Sequence, residues 1–566
     1  MNDLHRNRAA MGALVACFVL VSLYVLSIRT LVPPDEGRYA ELAREMFASG
    51  DWITTRLNGI KYFEKPPLQA WMNALTFTLF GVGEWQARLW TGLCGLGGVL
   101  LTGYTATRLA GGRAGLYAAL VLGSSFYWII GSQVDSVDMG LSGMMTLSLC
   151  ALLLAQRAGA GAAARRNWML ACWAGMALAT LSKGLVGIVL PGGVLVVYTL
   201  LARDWHLWTR LHPVKGLALF LAIAAPWFVL VGLKNPEQPH FFFIHEHFER
   251  FLLKEHHREA PCWSFLVLLA AGSLPWLGVL VQSLAAGARA SSSDAAAAAA
   301  AGADADADAF RPRLLALVWL GFIVAFFSAS SSKLPGYILP VFPALALLVG
   351  THLGEVSRRS RLLNAALLAV TGVALLCVAP FATHFARHVG EAQLYAAFAP
   401  WVGAAGMLAL AGGLLALWLA RRGHADGYVL AVALAGFLSA QVLLAGFEPL
   451  GQARAGTNLL PAVRAVLAPN SHLYSVGLYE QSLTFYLGRP ATLVDYRDEF
   501  DFGLRQQPAL AIPDLDGFVR QWQLDTARGI PCVAIARADL VARLQQRHVH
   551  LRVIAADARR VVISNN

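Results

Sequence analysis

The chain has 566 residues, of which 57% are hydrophobic and only 14% charged, against about one quarter charged in ordinary soluble domains. With a mean hydropathy of +0.55, a soluble globular protein is excluded. The formal net charge of +11 does not indicate nucleic acid, because the Arg residues fall in short loops between apolar runs rather than on one polar face.

Taken in chain order, the apolar runs are each long enough to cross a hydrocarbon core about 30 Å thick, which needs roughly 20 helical residues. They predict spans at 9–29, 87–108, 114–132, 139–156, 167–182, 184–202, 216–233, 263–288, 314–329, 336–354, 362–380, 402–420 and 427–446. The expected fold class is therefore an all-α polytopic membrane protein of about 13 transmembrane helices. The first run is long for a signal peptide and lacks a small-residue cleavage site, so it reads as a span. Arg108 and Arg113, then Arg157, Arg165 and Arg166, and later Arg358, Arg359 and Arg361 occupy every second loop. Short basic loops stay cytoplasmic. An odd number of spans then puts the segments after spans one, seven and thirteen outside.

The first of these segments, 31–83, carries two short helical stretches, 36–48 and 68–80, opened by Pro33-Pro34 and Pro66-Pro67. Proline suits the first helical turn, where its missing N–H has no partner. Both stretches are too short or too amphipathic to span, which predicts interfacial helices. A second external loop covers 234–262. The loop 289–313 contains an Ala/Asp repeat at 291–309 and is expected to be a mobile cytoplasmic segment. Residues 1–446 thus form the membrane domain. Beyond it, 447–566 alternates strands (472–478, 491–494, 532–535, 553–555) with helices (480–487, 518–524, 539–547), a small external α/β domain beside the first loop. Five of the seven Cys lie inside apolar runs, while Cys262 and Cys532 are on the outward side.

Ionisable residues cluster at the external mouths of the spans, where burying charge is costly and marks function. Asp35-Glu36-Gly37-Arg38-Tyr39 stands at the outer end of the first span, and acidic residues there also complement a helix dipole. Tyr62-Phe63-Glu64-Lys65 precedes the second interfacial helix; a solvated Glu–Lys pair and a phosphate-binding lysine are both open. Asp138 either caps the fourth span or lines a site. Lys183 and the run Ser332-Lys333-Leu334-Pro335-Gly336-Tyr337 also face outward. The densest His cluster is His245-Glu246-His247-Phe248-Glu249-Arg250, followed by His256 and His257. One divalent metal, zinc by its tolerance of carboxylate and imidazole, would bridge Glu64 and His245, with His247 or water completing the shell. The alternative leaves Glu64 in an ion pair and His245 in ordinary loop hydrogen bonds.

Pro-Asp-Glu-Gly-Arg-Tyr at 34–39, Phe-Glu-Lys-Pro-Pro at 63–67, Val-Asp-Met-Gly at 137–140, His-Glu-His-Phe-Glu-Arg-Phe at 245–251 and Ser-Lys-Leu-Pro-Gly-Tyr-Ile-Leu-Pro at 332–340 together span most of the membrane region. In this order they resemble the lipid A aminoarabinose transferase branch of the membrane-embedded GT-C glycosyltransferases, related to protein O-mannosyltransferases. The resemblance implies an inner-membrane enzyme, acting at the periplasmic face. Such an enzyme would move 4-amino-4-deoxy-L-arabinose from undecaprenyl phosphate to a lipid A phosphate, with inversion at the anomeric carbon and no nucleotide cofactor. Asp35 is the expected catalytic carboxylate and Asp138 the second. Lys65, Arg250, Lys333 and Tyr337, with Arg38, Tyr62 and Lys183 behind them, are expected to hold the donor phosphate and acceptor, because negative charge grows on the departing phosphate. Two other readings stay open: a GT-C transferase with another sugar and a lipid or protein acceptor, and a non-catalytic polyprenyl phosphate transporter. The lack of an internal repeat speaks against the transporter.

Overall fold

The computed structural model describes residues 8–249, 260–300, 310–387 and 390–566. Its packing divides the chain into two compact units. One contains the residues up to Val25, Trp90–Ala379 and Trp401–Leu444; the other contains Leu26–Leu89, Pro380–Pro400 and Ala445–Asn566.

The first unit is helical. Among the described residues, eight helices are long and apolar enough to cross a membrane, and two bent pairs raise this to ten. The bent pairs are Gly112–Ser124 with Phe126–Gln133, kinked by 63°, and Ser264–Gly272 with Leu277–Ala290, kinked by 110°. The three remaining predicted spans fall on Glu84–Ala110, Ala162–Lys183 and Val186–Ala202. Breaking a span strands backbone and side-chain polar groups, and buried indoles help to close the gaps. Trp276 Nε1 donates to Ser124 Oγ at the first kink (2.9 Å) and Trp319 Nε1 to Pro340 O (2.9 Å), in the 3-10 turn Pro335–Val341. Large apolar side chains such as Leu20, Val214, Leu233 and Val281 stay exposed. In water they would be a liability; against lipid tails they are at home.

One expectation fails here. The Ala/Asp segment is helical as far as Ala300, continuing Leu277–Ala300, because alanine has the best intrinsic helix propensity. Residues 301–309 lie outside the described residues.

The second unit is mixed. Segment 26–89 supplies the helices Asp35–Ser49 and Leu68–Phe80, as expected, and a small antiparallel pair, β1 (Arg56–Leu57) and β2 (Ile60–Lys61). The C-terminal part forms a six-stranded sheet of β3 (His472–Val476), β4 (Thr492–Val494), β5 (Ala511–Ile512), β6 (Cys532–Arg537), β7 (Arg552–Ala556) and β8 (Arg560–Ser564) in the order β5-β4-β3-β6-β8-β7. Strands β3 to β6 pair in parallel, and β8 and β7 close one edge antiparallel. A parallel sheet needs cover on both faces. Phe518, Trp522, Leu540 and Leu544 cover one face, and Leu460, Val463 and Leu483 cover the other. Strands β5 and β8 were not foreseen; two residues carry no readable period, and β8 lies at the end of the chain.

The first loop and the sheet domain pack directly together. Asn58 donates to Ala491 O and accepts from Ala491 N, both at 2.7 Å. Ser482 Oγ donates to Leu31 O at 2.8 Å, and Gly37 lies so close to the Ser482 backbone that no Cβ fits there. The seven cysteines are all free; Cys262 is exposed and Cys532 buried.

Candidate active site

The expected site residues fall into two groups, one in each unit. In the second unit, the helix Asp35–Ser49 begins directly after Pro34, whose carbonyl accepts the Arg38 N–H at 3.0 Å. This start separates two neighbouring carboxylates. Glu36 is buried and paired through both oxygens with Arg88 (2.6 and 3.0 Å), and it accepts the Val32 N–H at 2.9 Å. Arg88 also donates to the carbonyls of Leu26, Arg29 and Thr30 at 2.5 to 3.0 Å, closing off the chain just past the first span. The Asp35 side chain, by contrast, is 53% exposed and meets Arg38 at 3.3 Å.

Arg38 is the centre of this group. Its Nε lies 2.7 Å from Glu499 Oε2, and Glu499 is held by Gln481 Nε2 at 2.5 Å. Burial works to lower the Arg38 pKa, but the negative charge of the surrounding groups, Glu499 and Glu64 among them, holds it well above the usual value. Arg38 is therefore a permanent cation. Burial pushes the Tyr62 phenol up against the opposing pull of Arg38, so the phenol stays protonated. Its buried oxygen has no hydrogen-bond partner among the described residues. Lys65 Nζ donates to Glu64 O at 2.8 Å and lies 3.9 Å from the Glu64 carboxylate, which is the ion-pair arrangement the sequence left open.

In the first unit, Asp138 enters at the start of the helix Val137–Gln156. Its carboxylate is paired with Lys183 Nζ, and that ammonium sits 4.4 Å from the centre of the Tyr337 ring. Gly336 leaves room for the carboxylate, since a Cβ there would collide with it. Asp138, Lys183 and Tyr337, drawn from three distant stretches, thus form one cluster. Lys333 Nζ donates to Ser330 O at 2.6 Å. His245 stacks on Phe241 with ring centres 5.2 Å apart. Arg250, His256 and His257 lie outside the described residues, as do the side-chain contacts of His247.

Glu64 and His245 offer donor types that zinc accepts, yet neither belongs to a converged group of three or more ligands among the described residues. The one such group found there is His472, Asp525 and Cys532, with ligand atoms within 4.8 Å of one another. Asp525 already accepts from His472 Nδ1 (2.8 Å), Tyr474 (2.6 Å) and Gln521 (2.9 Å). Burial and the Asp525 charge push the Cys532 thiol up to about 12. These contacts read as an internal hydrogen-bond cluster of the sheet domain.

Arg88, Glu499 and Gln481 were missed in the sequence, and Glu36 was named there only as part of the acidic motif, with no role of its own. Glu36 beside Asp35 was the available signal, and Arg88 is an arginine inside an apolar run. Glu499 carries no local signature.

The fold is that of a polytopic membrane protein of the GT-C type. Residues 10–242 match the model of the dolichyl-phosphate-mannose-protein mannosyltransferases, and residues 459–565 match the aminoarabinose transferase C-terminal domain. The chain superimposes with a TM-score of 0.91 and 40% identity on ArnT from Cupriavidus metallidurans bound to undecaprenyl phosphate, covering 99% of this chain and 98% of that one. It is 33% identical over 385 residues to an undecaprenyl phosphate-α-4-amino-4-deoxy-L-arabinose arabinosyl transferase of Pseudomonas aeruginosa, 66% of each chain, and 31% identical over 381 residues to that of Edwardsiella ictaluri, 65% of each. The matched region thus spans just under two thirds of these curated relatives. The chain belongs to the aminoarabinose transferase family.

Proposed function

We propose that this protein is an inverting glycosyltransferase of the inner membrane, moving 4-amino-4-deoxy-L-arabinose from undecaprenyl phosphate to a phosphate of lipid A on the periplasmic face. The single observation that carries the reading is the near-complete superposition on a relative whose structure holds undecaprenyl phosphate. The division of the chain into a membrane domain, 1–446, and a periplasmic domain, 447–566, belongs to the same proposal.

In the reaction, the bond from the anomeric carbon to the carrier phosphate breaks, and the phosphate leaves with the electron pair. The acceptor phosphate oxygen forms the new bond on the opposite face of the sugar. Fixed cations that need no reorganisation stabilise the leaving charge best. Arg38 and Lys65 with the Tyr62 phenol in the second unit, and Lys183 and Lys333 with the Tyr337 phenol in the first, are the candidates for that role; Arg250, also expected there, lies outside the described residues. An acceptor phosphate is already anionic near neutral pH, so no strong base is required. Asp35, whose side chain is 53% exposed, orients the acceptor or balances positive charge on the sugar. Asp138 sets the position of Lys183.

The test is reconstitution. Purified protein in liposomes receives undecaprenyl phosphate-linked aminoarabinose and lipid A, and mass spectrometry of the lipid A is expected to show the added sugar. Unmodified lipid A alongside an intact donor overturns the reading. The expected zinc is tested separately by elemental analysis: about one equivalent, lost in both Glu64→Ala and His245→Ala, supports the bridge, and metal-free protein of full activity excludes it.

A further inference from the structure

The second unit contains a half-open cavity of about 1080 Å³ that none of the proposed donor-site side chains lines. We infer that it binds the sugar-phosphate headgroup of the acceptor lipid through Arg387, Arg454 and Arg559, an inference that rests on the acceptor reading above.

Charge is the first argument. Arg387, Arg454 and Arg559 line the cavity; among the described residues none of the three is in an ion pair within 4.0 Å, and Arg559 lies near enough to the Glu480 carboxylate to feel its charge. Arg454 instead lies over the Phe447 ring at 5.5 Å, and Arg559 stands at the tip of the β7–β8 hairpin. The lining also holds two carboxylates, and both are already engaged. Asp557 accepts the N–H groups of Arg559 and Arg560 (2.8 and 2.7 Å) and pairs with Arg560 Nη1 at 2.8 Å; Glu391 accepts the Arg387 N–H at 2.9 Å. The cavity is thus a surplus of planar, bidentate donors of the kind that suits phosphate.

Location and lining argue for a lipid. Arg387 follows the span that ends at Phe385, Glu391 opens the next span, Pro449 and Arg454 follow the span that ends at Gly446, and Pro33-Pro34 follow the first. Short covalent links hold all of these walls near the bilayer surface. Phe385, Tyr395 and Leu450 add apolar lining, and the volume exceeds what a bare phosphate fills. Pro33 and Pro34 immediately precede Asp35, so a headgroup seated here lies beside the proposed catalytic carboxylate.

The full-length protein is tested as the triple variant Arg387→Gln, Arg454→Gln and Arg559→Gln. All three side chains are exposed, and thermal unfolding identical to wild type checks the fold. The probes are bisphosphorylated lipid A, the same lipid with its phosphates removed, undecaprenyl phosphate and inorganic phosphate. The triple variant is expected to bind bisphosphorylated lipid A at least about tenfold more weakly. Its binding of undecaprenyl phosphate should be unchanged, its KM for lipid A raised and its kcat little altered, and Arg→Lys at the same positions should restore part of the affinity. Unchanged lipid A binding overturns the inference, as does a wild type that binds the dephosphorylated lipid equally well, or competition by inorganic phosphate at the same concentration as the lipid. If wild type binds phosphorylated lipid A through these arginines but transfers no sugar to it, the reaction assignment fails while the cavity assignment stands.

Discussion

Asp35 and Glu36 are neighbours, but only Asp35 is exposed. Glu36 is enclosed by Arg88, and removing either partner would leave a buried charge unpaired, a loss of about 3–5 kcal/mol. Asp35 is half exposed, and its ion pair with Arg38 at 3.3 Å is of the solvent-accessible kind worth at most about 1 kcal/mol. Asp35→Asn should therefore leave the thermal unfolding midpoint within a degree or two while lowering transfer by roughly 100-fold or more. Turnover in liposomes near the wild-type rate would remove Asp35 from the mechanism. Asp138 and Lys183 act differently, because each is the other's partner. In a coupled pair the second loss adds little. Asp138→Asn, Lys183→Met and the double variant should all lower turnover by a similar factor, and a double variant whose loss is the product of the single losses would show two independent roles.

At the scale of an element, the helix Asp35–Ser49 carries three acids on its inner side. Glu41 is engaged by Arg44 at 2.6 and 2.8 Å. Glu45 accepts the Gly59 N–H through both oxygens (3.0 and 2.9 Å). Burial, and then the charge of Glu41, push the Glu45 carboxyl up to about 8. The folded state thus binds a proton that the unfolded chain releases near pH 4.5. Stability from this group is complete below that pH and is lost as pH rises towards 8. Glu45→Gln keeps an acceptor for Gly59 without the ionisation. Its unfolding midpoint should match wild type at pH 5 and exceed it at pH 9. An equal offset at both values would mean that Glu45 does not titrate in this range.

On the scale of the whole molecule, the second unit is assembled from stretches that lie hundreds of residues apart. Asn58 is one of its ties: its side-chain amide completes both backbone groups of Ala491, and its own backbone is left-handed, with φ of 55°. Asn tolerates that conformation better than most residues. Asn58→Ala strands two buried backbone groups and adds strain, for a cost of about 2–4 kcal/mol. The expected result is a lowered unfolding midpoint and faster protease cleavage in the C-terminal domain. Wild-type resistance would show that this tie is dispensable.

The spans, the two helices of segment 26–89 and most of the sheet strands were legible in the sequence because each is set by local composition and period, through lipid-length apolar runs, prolines that open helices and strand alternation. The first part of the Ala-rich segment, as far as Ala300, is helix where a loop was expected, because alanine favours helix. Individual side-chain roles were legible only as types. That acids and cations gather at the ends of spans follows from the expense of burying them. Which acid is enclosed and which stays half exposed did not follow, because Arg88 closes on Glu36 and Glu499 closes on Arg38 through contacts 52 and 461 residues apart in the chain. Membrane class and helical architecture were therefore determined by the sequence itself, since bilayer thickness and backbone hydrogen bonding act on contiguous residues. The pairing of charges, the union of the first loop with the sheet domain and the arginine-lined cavity were decided only by tertiary structure, since electrostatic partners are chosen by proximity in space.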